Sequence, residues 1–316
     1  MATDELLFQA GPGKRTLPHG YSCDVFISAF NLSERVRETF DKIESSRKFW
    51  LIHNEYGFSD AELPANAPLL RSTQLAEADF LIDALGEIEC ALTPGVRLCV
   101  DVTGFMRPHL MFLMHLLRNR QIERFDFIYT EPSQYTRKAE TIFSSDVFEV
   151  RQINGYEGVH SVDMSTDVVV VGAGYDHDLV GHVISTKSSA RLLQLMSLPS
   201  LSADMYQESL TRLHRVADAP VKVPDEQLAY ASANDPFLTY IVLVESLQRI
   251  TSRYRHISNL YLSPLATKPQ AVGFGLYYLK HLVGKPASII FPYATRYSKE
   301  TSKGVGRTWL YELDLR

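Results

Sequence analysis

Leu98-Cys-Val-Asp101-Val-Thr103-Gly104-Phe-Met-Arg107-Pro108-His109 runs an apolar strand pattern into a basic-proline turn, and the apolar stretch Leu110 to Leu117 follows at helical length. Phe125-Asp-Phe-Ile-Tyr-Thr130-Glu131-Pro132 then reads as a second strand closed by a proline. The same succession returns as Leu260-Tyr-Leu-Ser263-Pro264-Leu265-Ala266-Thr267-Lys268-Pro269-Gln270, a helical stretch Ala271 to Leu282, and Ala287-Ser-Ile-Ile-Phe-Pro292. Lys268 stands 161 residues after Arg107, and Pro292 stands 160 after Pro132. A repeat of that length predicts two copies of one α/β unit.

Working outward, each copy is preceded by matching elements. Asp24-Val-Phe-Ile-Ser28-Ala-Phe pairs with Asp167-Val-Val-Val-Val-Gly172-Ala-Gly174, both apolar runs of strand length. A helix over Ser33 to Ile43, with Ser33 as its N-cap, corresponds to a weaker one over Asp178 to Ile184. Lys48 to His53 corresponds to Ala190 to Met196. Amphipathic helices over Thr73 to Cys90 and Pro236 to Ile250 precede the two basic-proline turns, the second with Asp235 as cap and Pro236 at its first position. The chain therefore divides into an N-terminal arm (1–20), a first Rossmann-like unit (21–155) and a second (156–316). The second unit is expected to carry an inserted helix, Met205 to Val216, and a C-terminal strand from Thr308 onward. Alternating strand and helix demands parallel sheets with right-handed crossovers, and the run Val168 to Val171 suits a strand buried on both faces.

With 316 residues, 45% of them hydrophobic, the chain is long enough for two such cores. No run reaches the roughly twenty apolar residues that span a bilayer, so no membrane association is expected. Met1-Ala-Thr-Asp-Glu5 lacks the basic and apolar regions of a signal peptide, and Cys23, Cys90 and Cys99 share no metal-ligand spacing. These features point to a cytoplasmic protein with three buried structural thiols. A net charge of −5 argues against a general nucleic-acid surface, while leaving room for one small anionic ligand at a local basic cluster.

Parallel sheets bind ligands outside the carboxyl ends of their strands. In the first unit those ends place Ser28, Asn31, Asn54, Thr103, Gly104 and Arg107; in the second they place Gly172, Gly174, Tyr175, Thr267, Lys268 and Arg296. Small residues there let an anion approach helix N-terminal amides, and Arg107 and Lys268, each just before a proline, are suited to pair with a phosphate or carboxylate. Both also fit an ordinary helix opening. Lys303-Gly-Val-Gly-Arg307 forms a basic loop, readable as a solubilising turn or as a cover over an anionic ligand. Gly172-Ala-Gly174 falls short of a dinucleotide fingerprint because His177 occupies the third glycine position, so no nicotinamide or flavin cofactor is expected. Asp176, His177, Asp178 and His182 read as a solvated loop and helix start, and no metal is expected. Glu55, Glu131 and Asp176 are the acid-base candidates if the protein is an enzyme.

The strand ending in Asp101-Val-Thr103-Gly104-Phe-Met-Arg107 and running into an apolar helix resembles the ligand-binding signature of CARF domains, Rossmann-like sensors of cyclic oligonucleotides in prokaryotic antiviral systems. Two such units in one chain resemble the SAVED arrangement, which is similar to a covalently joined CARF dimer. The second copy departs from the signature, reading Ser263-Pro-Leu-Ala-Thr267-Lys268 with no glycine after the strand. The resemblance implies that Thr103, Gly104 and Arg107, with Thr267 and Lys268, line the pocket for a nucleotide-type ligand in a cleft between the halves. It also implies that any effector is a separate chain. The rival readings are a transferase or hydrolase acting on a nucleotide or sugar phosphate, and a non-catalytic scaffold subunit of a larger complex.

Overall fold

The computed structural model describes residues 13–135, 144–174, 176–201, 227–297 and 302–316. Its chain order is β1 (Lys14–Thr16), β2 (Ser22–Ala29), α1 (Glu34–Lys42), β3 (Glu44–Leu51), β4 (Leu69–Leu70), α2 (Glu77–Gly86), β5 (Leu98–Asp101), α3 (Arg107–Asn119), β6 (Arg124–Thr130), β7 (Gln134–Tyr135) and β8 (Ser144–Gln152). It continues through β9 (Val168–Gly172), α4 (His177–Thr186), β10 (Arg191–Ser197), β11 (Leu228–Ala231), α5 (Pro236–Tyr254), β12 (Leu260–Pro264), α6 (Lys268–His281), β13 (Ala287–Tyr297), β14 (Ser302–Lys303) and β15 (Thr308–Asp314). Two compact units result, one made of residues 13–146 with 295–316 and the other of residues 147–294.

Both sheets are built on one plan. The first runs β1-β15-β6-β5-β2-β3-β4 and the second β11-β10-β9-β12-β13-β8. Read from β6 and from β13, the orders β6-β5-β2-β3-β4 and β13-β12-β9-β10-β11 are the same, and every pair within them is parallel. Register fixes the equivalence residue by residue. The amide of Phe30 bonds the carbonyl of Leu51 and that of Ala173 the carbonyl of Leu195, each at 2.9 Å, just past the ends of β2 and β9. Val25 faces Leu98 across β2 and β5, as Val168 faces Leu260 across β9 and β12. The fold is thus α/β, two Rossmann-like units related by internal duplication.

The first sheet is buried on both faces; on one of them Phe40 of α1 stacks on Trp50 with ring centroids 3.6 Å apart and Phe30 meets Trp50 edge-on. In the second, the Val168–Gly172 strand is buried along its whole length, as a central parallel strand requires.

Several sequence expectations are corrected. The C-terminal strand extends the first unit's sheet, since β15 pairs antiparallel with β6 from Thr308 opposite Thr130 to Asp314 opposite Arg124. Strand alternation shows that a segment is a strand but carries no information on which edge takes it. Part of the arm, Lys14–Thr16, is itself a strand on β15. The helix expected over Thr73 to Cys90 is helical over Glu77–Gly86, with a short 3-10 turn at Glu89–Ala91, and Cys90 is exposed while Cys23 and Cys99 are buried. Ser33 does occupy the N-cap of α1, but its hydroxyl bonds Asn31 Oδ1 at 2.6 Å and makes no cap bond. The inserted helix over Met205 to Val216 lies outside the described residues.

Candidate functional site

The carboxyl edge of the first sheet gathers buried polar side chains in two groups. The first surrounds Asp101, the last residue of β5, which is fully buried. Its Oδ2 accepts from the Ser28 hydroxyl and its Oδ1 from the Thr103 amide, both at 2.9 Å. Thr103 Oγ1 accepts from the Thr130 amide at 3.0 Å, Thr130 Oγ1 meets Thr39 Oγ1 at 2.7 Å, and Arg35 donates to the Thr130 carbonyl at 2.8 Å. Burial raises the Asp101 carboxyl above its ordinary value, against the pull of the Thr103 and Ser28 hydrogen bonds and the nearby Arg35 charge. Ser28 and Thr103, expected at the ligand surface, are wholly buried members of this network.

Gly104 follows immediately, and its role is close approach. A Cβ there would stand 1.9 Å from the Ala29 carbonyl oxygen, so the β5 loop lies directly on the end of β2. In the second unit the contact is mirrored with the glycine on the other side. Gly174, just past β9, would meet the Leu265 carbonyl at 2.2 Å. This explains why the second copy needs no glycine after β12. The duplicated crossing needs one glycine, on either loop.

The second group is ionisable. His109 sits in the first turn of α3, and its Nε2 lies 3.4 Å from Glu55 Oε1. His53, two residues past β3, places its ring 4.6 Å from that of His109 and 5.6 Å from Phe80, while its Nε2 lies 3.4 Å from the Met106 amide. Tyr56 closes the group by donating to the Gly104 carbonyl at 3.0 Å, and burial pushes its phenol up to about 12. One ligating atom from each of His53, Glu55 and His109 lies within 4.8 Å of the other two. Sequence reasoning marked Glu55 but missed both histidines. The signal was available, because His109 occupies the third position of a helix at a carboxyl edge and His53 stands two residues past the end of a strand.

The remaining candidates divide by surroundings. Asn31 accepts the Ser33 amide and hydroxyl and so turns the chain into α1. Asn54 is exposed and donates to the Ser72 and Gln74 carbonyls. Arg107 and Lys268 are half-buried first residues of α3 and α6, each followed by proline. Thr267 caps α6 by accepting from the Gln270 amide at 3.3 Å, and its hydroxyl donates to the Ala233 carbonyl. Asp176 caps α4 through the Leu179 amide at 3.4 Å. Glu131 Oε1 accepts from the Trp309 indole at 2.8 Å. Gly172 is buried in β9 against Phe274. Arg307 is exposed, with its guanidinium 5.0 Å from the Trp309 ring centroid. Tyr175 and the Arg296 side chain lie outside the described residues. Among the described residues no helix is long and apolar enough to cross a membrane. No protein-family model matches this chain, nor does any curated protein or solved structure.

Proposed function

We propose that this chain is a cytoplasmic ligand-binding protein of the sensor type that takes a nucleotide-type phosphorylated ligand at the carboxyl edges of its sheets. The observation that carries the reading is the duplicated Arg107-Pro108 and Lys268-Pro269 opening. Each opening places a half-buried cation at the first turn of a helix that leaves a central parallel strand, β5 or β12. Helix N-termini at such edges favour anions, and a cation beside them adds Coulomb attraction for phosphate. The likeness of Asp101 to Arg107 to the CARF signature favours a cyclic oligonucleotide, a role in antiviral defence, and an effector on a separate chain.

Calorimetry with mononucleotides and cyclic oligonucleotides tests the reading. Binding by the intact protein is expected, weakened at least tenfold by Arg107→Ala or Lys268→Ala, with the ligand recovered unchanged. Absence of binding, or binding indifferent to both substitutions, refutes it. Turnover of the bound nucleotide would instead make the protein an enzyme, with the Glu55 and His109 pair as its acid-base candidates.

A further inference from the structure

The duplicated fold supplies its own control for the ionisable group at the first carboxyl edge. The bonds Phe30 to Leu51 and Ala173 to Leu195 align the two units, so His53, two residues after Leu51, corresponds to Ser197, two after Leu195. The helices α3 and α6 start at Arg107 and Lys268, so His109 at the third position corresponds to Gln270. In the second unit this pair is a neutral hydrogen bond, Ser197 hydroxyl to Gln270 Oε1 at 2.8 Å, with Gln270 also donating to the Ala231 carbonyl at 3.2 Å. An amide and a hydroxyl are therefore sufficient to join the helix start to the strand end. The first unit places two imidazoles in the same two positions and adds the carboxylate of Glu55.

We propose that His53, Glu55 and His109 bind a first-row divalent transition-metal ion of the zinc type. Two imidazoles and one carboxylate are a donor set suited to such ions, and three protein ligands leave coordination positions open to water or a small ligand. Ligating atoms already lie within 4.8 Å of one another, and bonds of about 2.1 Å to a shared ion bring them to roughly 3.4 Å in tetrahedral geometry. Glu55 makes that adjustment, because its side chain is 26% exposed whereas that of His109 is 4%. Its Oε2 is buried with no hydrogen-bond partner among the described residues, as an oxygen reserved for a cation would be. Metal uptake at Nε2 of His53 displaces the 3.4 Å contact with the Met106 amide, which is at the limit of hydrogen-bonding length. A cavity of about 430 Å³, lined by His53, Asn54, Phe58, Arg71 and Asp83, abuts the group. Nothing in this inference depends on the nucleotide reading.

The test is titration of chelator-stripped, full-length protein with Zn²⁺ by calorimetry and with Co²⁺ by visible absorption. One equivalent is expected to bind, since the second unit carries serine and glutamine at the matching positions. Glu55→Gln and His109→Gln are each expected to weaken binding at least tenfold and to change the Co²⁺ ligand-field bands. Substitution of the exposed His19 by alanine serves as the control and leaves both signals as they are. Glu55→Gln is nearly isosteric and partly exposed, so circular dichroism matching the parent separates lost ligation from lost fold. Failure to bind Zn²⁺, or binding unchanged in both variants, overturns the proposal.

Discussion

Asp101 shows how far a single carboxyl is committed to the fold. Its position at the end of β5 leaves it no solvent, and the Ser28 hydroxyl and Thr103 amide supply two donors in place of water. Burial still outweighs those bonds, so the neutral acid is favoured in the folded state relative to the unfolded chain, where the group titrates near 3.8. A carboxyl raised in this way contributes stability that is complete below the unfolded value and is lost as the pH rises through the folded one. Each pH unit by which the folded value is raised corresponds to about 1.4 kcal/mol. Asp101→Asn removes the titration and keeps an acceptor for the Thr103 amide. Comparing urea unfolding of the two proteins from pH 3.5 to 7.5, the stability difference is expected to move in favour of the asparagine protein as the pH rises. A difference that is flat, or that moves the other way, would show that Asp101 is charged without cost where it sits.

At the scale of elements, helix starts are set by local chemistry that the sequence displays, while helix partners are not. Asp235 accepts from the Phe237 and Leu238 amides, both at 3.0 Å, at the head of α5, and Pro236 occupies the position that needs no amide. Ser33 occupies the same place at α1 without a cap bond because Asn31 takes its hydroxyl. Asp235→Ala is therefore expected to cost about 1–2 kcal/mol in chemical denaturation, and Ser33→Ala less, through the Asn31 turn alone. Equal losses would refute the distinction. The strand and helix succession of both units, the edge at which the polar residues gather, and the basic-proline starts were legible because periodicity and capping are short-range. What was not legible was long-range. Only the sheet puts His53 against His109 across 56 residues of chain, and only packing reveals that Gly104 answers Ala29 and that Gly174 answers Leu265.

Among the described residues the chain passes between units twice, within β8 after residue 146 and within β13 after residue 294, so that its last residues complete the sheet of its first half. Seven residues of β15 pair with β6, and β1 pairs with β15 in turn, so β15 joins the N-terminal strand to the sheet. Leu310, Tyr311 and Leu313 are buried there, and burying side chains of this size contributes about 2 kcal/mol each. Ending the chain after Arg307 therefore leaves the β6 edge bare, strips those contacts and removes the partner of β1. Both tryptophans, Trp50 and Trp309, lie in this first unit and none in the other. Trp50 fluorescence of the truncated protein consequently reports the first unit alone, whereas far-ultraviolet circular dichroism reports both. The fluorescence midpoint in urea is expected to fall well below that of the full chain, while a dichroism transition near the original midpoint survives for residues 147–294. If both signals shift together, the second unit draws its stability from the first. If neither shifts, β15 is dispensable to the sheet it extends.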